Sequence, residues 1–265
     1  MNPVEVRIGD GPVVLGLPHT GTWLPDKVRQ ALNGRGRAIA DTDWHIDWLY
    51  EGLLEGVTTV RATFHRYAID PNRDPSGESL YPGQNTTGLV PLTDFEGAGI
   101  WSIPPDAAEV ERRRATYHRV YHDALSAELH RVRARHGVAI LYDCHSIRSR
   151  IPFLFDGVLP DFNIGTNGGQ TCDPRIEASV EEICSEADGY SAILNGRFKG
   201  GWTTRVYGRP AEGVHAIQME LAQLTYLSAE GPPWRYDPDK ADALREHLSR
   251  ILHTLADLAP HLTKT

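Results

Sequence analysis

Cysteine is scarce in this 265-residue chain: Cys144, Cys172 and Cys184 are an odd set with no CxxC spacing. That excludes a disulfide framework and a cysteine-rich zinc knuckle. There is no surplus of basic charge either. Lysine and arginine number 27 against 35 acidic residues, for a formal net charge of −8, and a field of that sign repels phosphate backbones. A nucleic-acid partner is not expected. No run approaches the roughly 20 apolar residues of a membrane span, and the opening MNPVEVRIGD has neither the basic nor the apolar part of a leader. The expectation is a cytoplasmic protein with no membrane partner. Also missing are the GxxxxGK[ST] phosphate loop, a strand-linked GxGxxG, the GxSxG nucleophile elbow and the HExxH pair. Nucleotide binding and serine hydrolysis of the α/β-hydrolase type lose their support.

With 40% apolar residues and no long linker or repeat, residues 1–265 read as a single domain able to bury a sizeable core. Val13–Leu17, Val57–Thr63 and Val138–Tyr142 have the composition of buried strands, and Val214–Glu220 reads as extended. Between them, apolar residues recur at helical spacing from Ile46 to Leu54, from Val110 to Val132, and over Ala241–Leu258. Alternating strands and helices predict an α/β fold with a central mixed, mostly parallel sheet flanked by helices. The stretch from Pro71 to Pro105 is rich in Gly, Pro, Asn, Asp and Thr and has little periodicity. It reads as a long functional excursion over the sheet.

Three polar residues stand where apolar strands run out: His19 in LPHTG, His145 in LYDCHS and Glu220 in HAIQME. Ligands of open α/β sheets bind beyond the carboxyl ends of the strands, so one sheet can bring all three together. Each alone is an ordinary strand-end polar residue. Together, two imidazoles and a carboxylate suit a zinc ion and a water-activating base. Asp43, in DTDWHID, is either a third ligand, oriented by Asp41, His45 or Asp47, or a helix N-cap, and spacing leaves both open. Asn72-Arg73 offers a planar grip for a carboxylate or is a solvated turn. The cluster from Asn195 to Gly201, with Arg197 and Lys199 and leading to Arg205, can receive a small anion. His118 and His122, four apart on the long helix, read as packing rather than ligands, and Cys144 points away from His145 by strand alternation.

The stretches LPHTGTWLP, ADTDWHIDWLY, IDPNRDPSGESLYPGQNTTGL, YDCHSIRS, LNGRFKGGWTTRVYGRP and GVHAIQMELAQ, spread over residues 13–223, resemble the N-formylglutamate amidohydrolases of histidine degradation. That family is similar to the zinc carboxypeptidases. The resemblance implies a zinc-carboxypeptidase-like fold and the order zinc histidine, Asn-Arg carboxylate clamp, second zinc histidine, general-base glutamate, here His19, Asn72-Arg73, His145 and Glu220. Carboxypeptidases carry a glutamate ligand three residues after the first histidine. Here that position is Thr22, which leaves Asp43 as the candidate third ligand.

The implied activity is zinc-dependent hydrolysis of the formamide bond of N-formyl-L-glutamate, a small acidic substrate. Asn72, Arg73, Arg148 and Arg205 would hold its carboxylates and Glu220 would move the proton. The alternatives are an amidohydrolase for another N-acyl amino acid, a carboxypeptidase-like peptidase, and a non-catalytic metal or small-anion binding protein. Oligomeric state has no signature in the sequence.

Overall fold

The computed structural model describes residues 2–80 and 83–262. Among these described residues seven strands form one sheet: β1 (Val4–Arg7), β2 (Val13–Leu17), β3 (Thr58–Ala62), β4 (Ala139–Ile147), β5 (Phe162–Gly165), β6 (Ala192–Leu194) and β7 (Val214–Ala222). Their spatial order is β1-β3-β2-β4-β7-β5-β6. The pairs β3–β2, β2–β4, β4–β7 and β5–β6 are parallel, while β1–β3 and β5–β7 are antiparallel. The expected mixed, mostly parallel α/β architecture is what forms.

The helices are α1 (Asp26–Ala31), α2 (Gly34–Arg37), α3 (Ile46–Tyr50), α4 (Ala107–Arg113), α5 (Arg119–His136), α6 (Pro174–Ser185), α7 (Trp202–Tyr207) and α8 (Pro238–Leu262). A five-residue π turn, Arg114–His118, joins α4 to α5. The apolar spacing from Val110 to Val132 therefore belongs to one nearly continuous rod with a register change inside it. It ends at Gly137, whose φ of 76° lets its N–H turn back to Arg133 O, a left-handed stop that favours glycine.

The sheet has an apolar layer on each face. Val13, Leu15 and Leu17 of β2, with Ile140, Tyr142 and Cys144 of β4 and Ile217, Met219 and Leu221 of β7, pack under α3, α6 and α8. Val14, Ala139, Leu141 and Ala216 face α5 on the other side. Burial on both faces explains why the central strands read as unbroken apolar runs. In α8, Leu244, Leu248, Ile251, Leu252 and Leu255 recur at three- and four-residue steps and are fully buried. Each contributes about 1.5–3 kcal/mol of burial.

Two strands run further than the apolar pattern shows. β4 continues through Asp143 to Ile147, and β7 continues past Glu220 to Ala222. His145 is thus a strand residue, not one following a strand, and Glu220 lies within its strand rather than at its end, because their polar side chains find partners inside the fold. Alternation on β4 sends Cys144 to the α8 side and leaves Asp143 and His145 on the α5 side. No helix of the described residues is long and apolar enough to cross a membrane.

Candidate active site

The site forms at the carboxyl ends of β2, β4 and β7. His19 lies two residues beyond β2, and its carbonyl accepts a hydrogen bond from the Asp43 N–H at 3.1 Å, which docks the loop before α3 against the sheet. His145 comes from β4, and strand register sets it directly opposite Glu220 of β7. All four side chains are buried.

His19 Nδ1 and His145 Nδ1 stand 3.1 Å apart, and Asp43 Oδ2 lies 3.3 Å from the latter and 3.7 Å from the former. Ligands about 2.05 Å from a tetrahedral zinc are about 3.3 Å from one another. The three atoms therefore have the spacing of one face of such a tetrahedron, and they are the group among the described residues that can hold a metal ion. The opposite edge of each ring meets a carboxylate: His19 Nε2 is 2.7 Å from Asp70 Oδ1, and His145 Nε2 is 3.2 Å from Asp143 Oδ2. At His19 the carboxylate favours the Nε2–H tautomer and turns the Nδ1 lone pair inward, the usual support for an imidazole ligand, while His145 Nε2 faces both the Asp143 carboxylate and the Asn72 amide.

Asp43 is oriented by neither Asp41, His45 nor Asp47. Its Oδ1 accepts from Arg66 Nη2 at 2.6 Å and its Oδ2 from the Ser146 N–H at 3.1 Å. Asp41 instead accepts from the Tyr67 hydroxyl and the Phe95 N–H, His45 bonds the Trp234 carbonyl, and Asp47 lies by Arg61. The α3 N-cap is His45, in the left-handed region at φ 59°, without a side-chain cap bond. The cap reading of Asp43 therefore fails on geometry, because its carboxylate is turned into the sheet.

Electrostatics agree with a cation at this point. Burial works against charge on His145, yet Asp143 and then Asp43 outweigh it and hold the imidazole well above its ordinary pKa. Burial likewise opposes ionisation of Asp43 and Asp70, but Arg66 and the two site histidines hold Asp43 down, and His19 and Arg73 hold Asp70 down. Both stay carboxylates. Glu220 differs. Burial pushes it up to about 7, against the pull of His145, so it is poised to exchange a proton near neutrality. Gln218 Nε2 donates to Glu220 Oε2 at 3.2 Å, and Gln218 is itself held by the Gly201 N–H.

These groups open into a cleft whose wall includes His19, His145, Glu220, Asn72, Arg66, Arg73 and Arg197. Asn72 Nδ2 reaches within 3.2 Å of His145 Nε2, and its Oδ1 accepts from the Thr203 N–H at 2.9 Å. Arg73 is braced by Thr87, through the carbonyl at 2.8 Å and the hydroxyl at 3.0 Å. Arg197 is braced by the carbonyls of Leu154 and Asn85, both at 3.0 Å.

Two residues expected on the substrate lie elsewhere. The Arg148 guanidinium is turned to Glu96 at 2.6 Å and Asp41 at 3.6 Å, and Arg205 donates to the Gly200 carbonyl at 2.9 Å. Neither is among the described residues lining the cleft. Local acceptors capture these long side chains before they reach it. Sequence reasoning missed Arg66, Asp70 and Asp143. Asp143 had a signal, since residues two apart on a strand share a face. Arg66 and Asp70 sit in irregular chain with no such pattern.

A family model described as N-formylglutamate amidohydrolase matches residues 11–227. The N-formylglutamate deformylase of Pseudomonas aeruginosa is 46% identical over 255 residues, with 95% of each chain covered, and that of Pseudomonas putida is 45% identical over 247 residues, with 92% of each covered. The crystal structure of N-formylglutamate amidohydrolase from Ralstonia eutropha JMP134 superposes with a TM-score of 0.81 at 29% identity, over 98% of this chain and 99% of that one. The chain belongs to the N-formylglutamate amidohydrolase family, hydrolases of a linear amide bond.

Proposed function

We propose that this chain hydrolyses the formamide bond of N-formyl-L-glutamate to formate and L-glutamate, using a divalent metal, most simply zinc. The observation that carries the reading is the convergence of His19, Asp43 and His145 to within 4.8 Å of one another, with Glu220 opposite His145 in the same cleft. Two imidazole nitrogens and one carboxylate oxygen are a donor set that suits zinc and leaves a coordination position open. A metal held there supplies Lewis acidity and brings the pKa of a water in the site toward about 7.

The chain's own groups do the rest. Glu220 accepts the proton of the attacking water and passes it to the amine nitrogen as the carbon–nitrogen bond breaks. Arg66 keeps Asp43 ionised and its Oδ2 facing the histidines. Arg73 and Arg197 present guanidinium groups on the cleft wall, fitted to grip carboxylates in a plane, with Asn72 as a directional partner beside them. This local cationic wall offsets the net charge of −8, which at long range disfavours a dianion. The resemblance and the relatives' names support the formylated substrate, and the resemblance alone suggests a place in histidine degradation. A cytoplasmic setting belongs to the same proposal.

The experiment is formate release by the purified protein from N-formyl-L-glutamate, before and after chelation and after Zn²⁺ is restored. N-formyl-L-aspartate, N-acetyl-L-glutamate and a short peptide run in parallel. Turnover should require metal and favour the formylated five-carbon acid. Equal turnover of the peptide would move the protein to the peptidase reading, and bound metal without any turnover would leave a binding protein.

A further inference from the structure

The loop that carries Asp70, Asn72 and Arg73 has no strand partner, so its outward carbonyls need other donors. They come from side chains of a single rod, the α4–α5 pair with its π turn. Arg113 Nη1 donates to the Ala68 carbonyl at 3.1 Å and Arg114 Nη1 to that of Pro75 at 3.3 Å. His118 Nε2 donates to the Arg73 carbonyl at 2.9 Å and His122 Nε2 to that of Pro71 at 2.7 Å. Residues 114, 118 and 122 climb the rod in steps of four while their acceptors descend the loop in steps of two. The π turn falls at the start of this ladder, and such turns are frequent at functional sites.

Both histidines are buried, as is Arg113, and the histidines' acceptors flank Asn72 on either side. A carbonyl only accepts, so each ring is held as the Nε2–H tautomer. At His122 the other nitrogen lies 3.1 Å from the Tyr207 hydroxyl. Trp202 packs against both rings, with centroids 5.4 Å from His118 and 4.6 Å from His122, and the next residue, Thr203, donates to Asn72. On the far side of the same loop, Asp70 holds His19, and the Asn72 N–H donates to Asp70 Oδ1 at 2.8 Å.

We propose that His118 and His122 are positioning residues. By gripping the main-chain carbonyls on both sides of Asn72, they set where Asp70 meets His19, where Asn72 meets His145 and where Arg73 faces the cleft. They touch neither substrate nor the metal-ligating atoms and act through the loop. The catalytic consequence rests on the function proposed above, but the clamp itself does not.

The test compares two isosteric replacements at each position. Gln places its amide nitrogen near the site of Nε2 and keeps the bond, whereas Asn reaches only to the Nδ1 position and loses it. Amide hydrogen exchange at Asn72 and Arg73 should quicken about tenfold in His118→Asn and His122→Asn, the loss of one buried hydrogen bond, and stay near wild type in the Gln variants. Zn²⁺ affinity, read by competition with a chelating dye, and kcat/KM for N-formyl-L-glutamate should each fall about tenfold or more in the Asn variants and recover with Gln. Unchanged exchange in the Asn variants overturns the proposal. So does faster exchange that leaves both Zn²⁺ affinity and turnover unmoved, or equal loss in Asn and Gln variants. If the wild type releases no formate at all, the functional reading fails, while exchange and Zn²⁺ affinity still decide the clamp.

Discussion

Asp143 and His145, two residues apart on one face of β4, meet through Asp143 Oδ2 and His145 Nε2 at 3.2 Å, with the Thr204 hydroxyl donating to the same carboxylate oxygen at 3.1 Å. The acid is fully buried and places its charge against the ring. Asp143→Asn should keep the fold but weaken Zn²⁺ binding about 10–100-fold, the usual cost of losing an orienting carboxylate. Chelator competition measures this, and unaltered affinity would remove Asp143 from that role.

Glu220→Gln preserves shape and the approach of Gln218 while removing the proposed proton acceptor. Turnover should drop about 10²–10⁴-fold with metal content unchanged, as expected for loss of a general base. Metal analysis and formate release on one preparation check both halves. Activity close to wild type would assign the proton transfer elsewhere.

Asp43→Ala should cost more than metal. It strands the buried Arg66 guanidinium, and breaking a buried pair destabilises by about 3–5 kcal/mol. The double change Asp43→Ala with Arg66→Met should recover much of that stability without recovering metal binding. Denaturant melts and metal analysis separate the two losses.

Gly201 packs directly on the Asn72 side chain: a Cβ there would fall 2.3 Å from Asn72 Nδ2 and 2.5 Å from its Oδ1. Gly201→Ala forces a shift at this contact and so disturbs the placement of Asn72 beside His145. Its effect should appear in kcat/KM for N-formyl-L-glutamate, with a melting temperature that changes little, since Gly201 lies outside both main apolar layers. Unchanged kcat/KM would show that Asn72 is not needed where it stands.

His122 supplies the pH prediction. Burial, reinforced by neighbouring His118, lowers its pKa to about 3, while an unfolded chain has the ordinary value near 6.5. The native state thus keeps a neutral ring that the unfolded state protonates first. Its contribution to stability is complete above pH 6.5 and is lost as pH falls from there toward 3. In His122→Gln the stability curve should be shallower in that window by up to about 1.4 kcal/mol per pH unit. Urea melts between pH 7 and 4 measure the slope, and parallel curves would refute the assignment.

Much of this architecture was legible from periodicity because it is built of fully buried parallel strands, whose apolar runs stand out against helical spacing. The same logic exposed His19, His145 and Glu220, since polar residues at the ends of such runs need a reason. It stopped short where strands carry polar partners inward, so β4 appeared to end at Tyr142 rather than Ile147. Arg148 and Arg205 show a different boundary. A guanidinium on a flexible stem is claimed by whatever acceptor lies nearest, here Glu96 and the Gly200 carbonyl, and chain spacing does not encode that choice. The roles of His118 and His122 were hidden for a related reason: their partners are main-chain carbonyls of an aperiodic loop, which leave no mark in residue type.

The nine paired positions of β4 and β7, from Ala139 beside Val214 to Ile147 beside Ala222, act as a ruler. The gap between His145 and Glu220 is inherited from the spacing of neighbouring strands, about 4.8 Å. Surface segments around the mouth can lengthen, shrink or exchange residues and so retune which acid enters, while the distance between the two halves of the chemistry stays clamped by the lattice beneath. A slip of one residue in either strand would turn every polar group at that end to the opposite face. The sheet therefore makes the reaction geometry all-or-none and leaves selectivity as the property free to vary.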